Sequence, residues 1–405
     1  MVFLIVTINT MLFPIFPALR SDLNLSLAQV SLLVVFANIP SALLSLVGGI
    51  LADRFTRKMI ILPSLLLFGA GGLLAGLAAL TLENPFPYML GCRVIQGIGA
   101  AAPMYLAMAL AGDIFQSTER AQAVGLMEAA SGLGKLLAPI IGAFAGLIAW
   151  VAPFFVYPVL SLPIAAAIFF LIKEPSKPRL KPGPTLGELK VPLSRRPALI
   201  GLAAALYSLF ALIGIMFWLS EVLEQRLGGG QILRGVIISL PVMTFLLTTL
   251  LAEYFYRLLK IRLSIFTGLA ITAGAIALIP PTRDLLFIWP VIGLMGIGLG
   301  IATPAVDTLS TNITSVEYRG TVTTVFGGVR CAGAAAGPLT LSLLMKHGPL
   351  ITFLPIAAAG AAIAIAVLLL LREEEIPGKL IQGDGVSGSA AKKRSFWRPG
   401  SNGDN

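Results

Sequence analysis

The chain has 405 residues, of which 57% are hydrophobic and only 12% charged, and its formal net charge is +10. Soluble domains carry about a quarter charged residues, so this composition excludes an ordinary soluble globular protein. Apolar stretches of 18 or more residues recur along almost the whole length, each long enough to cross a bilayer as a helix, whereas a membrane β-barrel would show short alternating segments.

Twelve spans are predicted, at 1–19, 28–52, 59–81, 86–112, 121–149, 151–172, 198–220, 235–256, 262–282, 285–310, 320–345 and 348–371. The expected class is an all-α membrane protein of two pseudo-symmetric six-helix bundles, at 1–172 and 198–371. Between them lies a Pro-rich basic linker at 173–197, and after them a Gly/Ser-rich tail at 372–405 whose composition reads as disordered. Span one begins at Met1 without the charged lead or cleavage site of a secretory signal, so either the chain starts at the membrane edge or the recorded start is short. With both termini cytoplasmic, the cytoplasmic loops and tail hold 21 of the 29 Lys and Arg, and the outer loops hold five. That bias sets the orientation and accounts for the positive charge without a nucleic-acid partner. Cys92 and Cys331 fall inside spans and read as small apolar packers, and His347 stands at an outer helix end with no metal-ligand cluster around it.

Taken along the chain, span one offers only Asn9 and Thr10 as polar groups, and Asn38 sits within span two. The stretch Gly49-Ile-Leu-Ala-Asp-Arg-Phe-Thr-Arg-Lys58 packs four ionisable residues into a turn between two long apolar runs. Asp53 ends a helix, where the dipole disfavours an acid, so it needs a cationic partner among Arg54, Arg57 and Lys58; Asp113 closes span four on the same face. Span four carries Arg93, with Gln96 and two glycines following. An Arg inside a span costs about 2.5–3.5 kcal/mol on insertion scales and must face the bundle interior. Span five carries Gly125, Gly134, Ala138, Pro139 and Gly142, small residues for close packing around a proline bend. It also carries Glu128 and Lys135, two turns apart on one face, about 10 Å along the axis. A carboxylic acid in a low-dielectric site can take up and release a proton near neutral pH, so Glu128 is the first candidate proton carrier and Asp307 of span ten the second. Glu128 serves equally as a structural partner of Lys135 or Arg93. Arg330, midway along span eleven, makes a third in-span cation, and that excess permits an anionic substrate group. Tyr207, Phe210, Phe217 and Trp218 of span seven offer stacking surfaces or plain packing.

The two halves repeat. A shift of 199 residues places Arg120 on Arg319, Gly134 on Gly333, Pro139 on Pro338 and Gln96-Gly-Ile-Gly99 on Met295-Gly-Ile-Gly298; a shift of 200 brings Leu51-Ala-Asp53 onto Leu251-Ala-Glu253. A duplicated six-span unit is the construction of secondary transporters, whose halves rock about a midplane site.

These features together resemble the major facilitator superfamily, across about 1–371, and most of all its twelve-span drug:proton antiporters. The resemblance implies that the turn at 49–58 is the family's signature loop, in which Asp53, Arg57 and Asp113, with Gly49, Arg54 and Lys58, form a cytoplasmic gate; Thr56 departs from it, standing where the family usually has Gly. It implies that Arg93, in the R-x-x-Q-G pattern, takes part in proton coupling. It also implies that the span-five pattern is the exporter signature, with Ala138 and Ala143 in place of two glycines. No nucleotide-binding loop and no catalytic triad occur, so neither an enzyme nor an ATP-driven pump is expected. The expected activity is proton-driven export of small organic, often amphipathic, compounds, with no cofactor but the proton gradient. Arg93, Glu128 and Asp307 would serve coupling, and Asn38, Gln96, Lys135, Tyr207, Phe217 and Arg330 would line the substrate cavity. The expected setting is the bacterial cell membrane, as a monomer with cytoplasmic termini. Two alternatives stay open: export or exchange of an anionic metabolite, and a non-transporting receptor or lipid-handling protein on the same scaffold.

Overall fold

A computed structural model describes residues 1–54, 56–103, 106–107, 110, 114, 117–172, 193–227, 230–280, 285–313 and 319–371. Among them every regular element is helical. The first span is α1 (Val2–Ile5), α2 (Thr7–Thr10), a 3-10 turn at Phe13–Ile15 and α3 (Phe16–Asp22). Spans two to six are α4 (Leu27–Arg54), α5 (Arg57–Thr81), α6 (Phe86–Ala100), α7 (Ser117–Gly146) and α8 (Ala152–Leu171). The second half follows as α9 (Arg196–Leu227), α10 (Gln231–Leu250), α11 (Ala252–Ala277), α12 (Leu285–Asn312), α13 (Arg319–Leu344) and α14 (Pro349–Leu370). Ten of the described helices are long and apolar enough to cross a membrane. The other two expected spans are the first, which is broken, and the fourth, whose described helix has 15 residues. Large apolar side chains such as Phe170, Leu171 and Leu369 are exposed where lipid would cover them.

Two expectations are corrected. Span one is not a single helix over 1–19. Pro14 and Pro17 lack the N–H that would continue it, so the backbone tightens between Thr10 and Phe16. Span eight stops at Leu250 rather than 256; the chain turns at Leu251 into α11, which is itself interrupted at Lys260, where φ is +58°. At the signature turn, Thr56 caps α5, its hydroxyl accepting from the Met59 N–H at 3.4 Å. That cap is the local reason a Thr serves in the turn.

Packing follows the repeat. In the first half α4 and α5 both pack on α6, α5 packs on α8, and α1 and α2 pack on α7. In the second half α10 and α11 both pack on α12, α11 packs on α14, and α9 packs on α13. Between the halves α4 lies on α13 and α7 on α10, two contacts related by the same internal symmetry. Glycine decides how closely the backbones approach. A Cβ at Gly97 would stand 2.1 Å from the Ala37 carbonyl oxygen, and one at the matching Gly296 would stand 2.2 Å from that of Pro241.

Candidate functional site

The helix ends beside the 173–192 stretch define a linker face, and the opposite ends a distal face. Between the halves, nearer the linker face, four ionisable side chains converge: Glu128 and Lys135 of α7, Asp307 of α12 and Arg330 of α13. Arg330 Nη2 lies 2.7 Å from Asp307 Oδ1. Glu128 lies within electrostatic range of Lys135, Asp307 and Arg330, and Lys135 within range of the other three. Lys135 Nζ also stands 5.8 Å from the Phe245 ring centroid on α10. Glu128 is exposed although Asp307 and Arg330 face it from the opposite half, and the Asp307 side chain is 50% exposed; the gap between the halves is therefore open here. Sequence reasoning had each of these residues but divided them between coupling and substrate binding. The fold gathers them into one site of two acids and two cations.

Arg93 is elsewhere. It is fully buried within the first half and spends its donors there. Nε donates to the Leu33 carbonyl at 2.9 Å, Nη1 to Gln96 Oε1 at 2.5 Å, and Nη2 to the Ile8 carbonyl at 2.9 Å and Asn9 Oδ1 at 3.1 Å. Asn9 in turn donates to Asn38 Oδ1 at 3.1 Å, and the Tyr157 hydroxyl donates to the Ile8 carbonyl at 3.0 Å. The Ile8 carbonyl is available because the Leu12 N–H has moved to Asn9, a consequence of the break in span one. Arg93 thus ties spans one, two and four together, meeting Tyr157 of span six at a shared carbonyl. Asn38 and Gln96, expected in the substrate cavity, are buried in this network instead.

Tyr207 and Phe217 also lie away from the gap. The Tyr207 hydroxyl donates to the Ile356 carbonyl of α14 at 3.2 Å, and its ring packs over Gly360. Phe217 is buried edge-on against Phe13 and Phe16, with centroids 6.5 and 6.0 Å away. That aromatic cluster belongs to a closure of the distal face. Ser220 donates to the Phe13 carbonyl, which accepts the Phe16 N–H of the 3-10 turn but receives no i+4 donor from Pro17. Arg20 pairs with the buried Glu221, Arg234 pairs with Glu224, and the Ser31 and Ser342 hydroxyls meet at 3.2 Å. Arg20, Glu221, Tyr157 and the partner role of Asn9 went unrecognised in the sequence. Glu221 carried the one available signal, an acid placed just beyond a long apolar run.

Span five divides along its length. Cβ atoms at Gly134 and Gly142 would fall 2.5 Å and 1.8 Å from the carbonyl oxygens of Phe3 and Met11, while Ala138 and Pro139 are buried, so this part packs on span one and on Gly235 of α10. Gly125, grouped with these packing residues in the sequence, is exposed, and a Cβ there would meet nothing within 4 Å among the described residues. In the expected gate, Lys58 caps α8, donating to the Phe169 and Ile172 carbonyls at 2.5 and 3.0 Å, which suits a cation at a helix C-terminus. Arg57 is half-buried beside it. Asp113 lies outside the described residues, as do the side chains of Asp53 and Arg54 and the surroundings of Gly49.

Comparison with known proteins bears on what this arrangement does. The family model described as Major Facilitator Superfamily matches residues 1–338. The "Bacillibactin exporter" of Bacillus subtilis is 28% identical over 356 residues, covering 85% of this chain and 88% of that protein. The "Multidrug efflux protein YfmO" of the same organism is 25% identical, covering 88% and 87%. Among solved structures, a D-xylose-proton symporter superposes with a TM-score of 0.72 at 16% identity, over 92% of this chain and 97% of that one. A bacterial Spinster homologue captured inward-facing gives a TM-score of 0.66 at 18% identity, over 91% and 92%. These superpositions establish the fold, two six-helix halves.

Proposed function

From the premise that the chain belongs to the Major Facilitator Superfamily, and so is a multi-pass membrane transporter and not an enzyme, we propose that it exports small organic compounds in exchange for protons. The observation that carries this reading is the Glu128–Lys135–Asp307–Arg330 cluster, which lies across the two halves and is accessible from the linker face. The export direction is supported by the relatives named as a bacillibactin exporter and a multidrug efflux protein, and by the close packing of Gly134, Ala138 and Gly142 on span one. If the basic loops lie in the cytoplasm, the closed distal face is the exterior and the structure is inward-facing.

Coupling then follows from competition within one site. With Glu128 and Asp307 ionised, the open cluster offers acceptors to a cationic or hydrogen-bonding compound. After the halves rock, protons from the exterior neutralise the two carboxylates and the compound leaves. Arg93 acts at a distance, holding the broken first span that forms part of the distal closure, and it makes no contact with the compound. The gate role of 49–58, and monomeric operation in a bacterial cell membrane, belong to this proposal as well.

A second reading, export of an anionic metabolite, draws on Lys135 and Arg330 in the same site. The two readings differ in the sign of their pH dependence. Under the first, binding weakens on acidification, because the carboxylates that attract the compound are neutralised. Under the second it strengthens, because protonating Asp307 releases Arg330 to the anion. In proteoliposomes, the export reading expects substrate flux to follow an imposed pH gradient and Glu128→Gln to reduce that response at least tenfold, the scale of a lost ionisable coupling group. Flux indifferent to the gradient would overturn proton coupling.

A further inference from the structure

On the membrane-facing side of the second half, α11 and α14 enclose a groove that takes no part in the cluster described above. Its volume is about 540 Å³ and its lining, which includes Phe266, Ala273, Gly274, Leu354, Ala361 and Ile365, holds no polar side chain. A Cβ added at Gly274 would meet nothing within 4 Å, so the floor is open. From Phe266 to Ala277 the groove runs about 16 Å along α11, at 1.5 Å per residue. One leaflet of a hydrocarbon core about 30 Å thick measures about 15 Å, so the groove is as long as one leaflet is deep.

A cation stands at its linker-face mouth. Arg262 lies one helical turn beyond Phe266, and its Nη2 donates across the mouth to the Leu368 carbonyl of α14. Its Nε is buried and has no hydrogen-bond partner among the described residues. The corresponding helix pair of the first half differs at both ends. At the shift of 199 residues, Leu354, Ala361 and Ala273 correspond to Phe155, Leu162 and Leu74, and Arg262 corresponds to Pro63. The Phe155 ring lies over Gly76, close enough that a Cβ there would be 2.8 Å away. In the first half an aromatic ring lies over the helix pair, while the second-half pair is open and carries a cation one helical turn beyond its linker end.

We propose that the α11–α14 groove holds one acyl chain of an anionic phospholipid whose phosphate pairs with Arg262. Charge complementarity favours this occupant over a second copy of the chain. A two-fold pair across the groove, about an axis normal to the membrane, would bring both Arg262 guanidinium groups to the same depth and set like charges against each other. The site is independent of the transport reading, and its test does not use transport.

The test is native mass spectrometry of the full-length, delipidated protein, offered dioleoyl phosphatidylglycerol and dioleoyl phosphatidylcholine in equal amounts. Wild type is expected to retain the anionic lipid about fivefold more than the zwitterionic one, the ratio given by roughly 1 kcal/mol per basic residue at the membrane surface. Arg262→Gln, which can still cap Leu368, brings the two lipids to parity, and Arg262→Lys keeps the preference. Ala361→Leu, which installs the side chain found in the first half, lowers retention of both lipids; Ala358→Leu repeats that arm if Ala361→Leu does not elute as a folded monodisperse species. Equal retention by wild type, or unchanged retention in a folded groove-filling variant, overturns the proposal. So does a groove-dependent dimer, which would assign the surface to a second copy.

Discussion

The two halves share a backbone plan and differ in polar chemistry. Gly97 and Gly296 bring α6 and α12 onto the second helix of each half, and Gly99 and Gly298 bring them onto the third. Where Arg93 and Gln96 anchor the first half, the matching positions hold Ile292 and Met295, both buried. The first span is broken at its prolines, while α9, with Ile213 and Met216 at those places, runs unbroken from Arg196 to Leu227. One contact recurs with its partners exchanged. The Tyr157 hydroxyl donates to the Ile8 carbonyl, and at the shift of 199 residues the same two positions appear as Ile356 and Tyr207, with the hydroxyl now on the other helix. The comparison teaches that backbone approach, set by glycine, is what the repeat holds in common, and that the buried Arg93 network belongs to the half whose first helix leaves a carbonyl to satisfy.

The largest effect expected from that difference is at Arg93. Arg93→Leu strips donors from the Ile8 and Leu33 carbonyls and from the Asn9 and Gln96 oxygens at once. A loss of about 3–5 kcal/mol is expected, read as a fall in melting temperature or in monodisperse yield. Ile292→Val at the equivalent place is expected to cost only about 0.5–1.5 kcal/mol. Equal losses would mean that the polar scaffold is not confined to the first half.

Next in size is a comparison within α7. Gly142→Ala drives a Cβ toward the Met11 carbonyl and is expected to cost about 1–3 kcal/mol. Gly125→Ala, in open space, should stay within about 0.5 kcal/mol of wild type. A harmful Gly125→Ala would show that this end packs closely in another state of the transport cycle. The smallest effects expected are those of Tyr157→Phe and Tyr207→Phe, about 1 kcal/mol each for one lost hydrogen bond. Similar losses would support equivalent roles in the two halves, and a much larger one for Tyr157→Phe would place it within the Arg93 network.

The sequence by itself determined the helical class, the approximate span positions, the repeat and the small-residue pattern of α7. In a bilayer each spanning segment must satisfy its own backbone hydrogen bonds, so length and apolarity settle the element locally. It also singled out Glu128, Lys135, Asp307, Arg330 and Arg93 as costly intramembrane charges. Only the tertiary structure decided their company. It set Arg330 beside Asp307, turned Arg93 away from the gap toward Ile8, Leu33 and Asn9, sent the Tyr207 hydroxyl to α14 and paired Arg20 with Glu221. Those outcomes depend on how each helix is rotated and on which carbonyls its neighbours leave open. No stretch of one helix carries that information, because it arises where two helices meet.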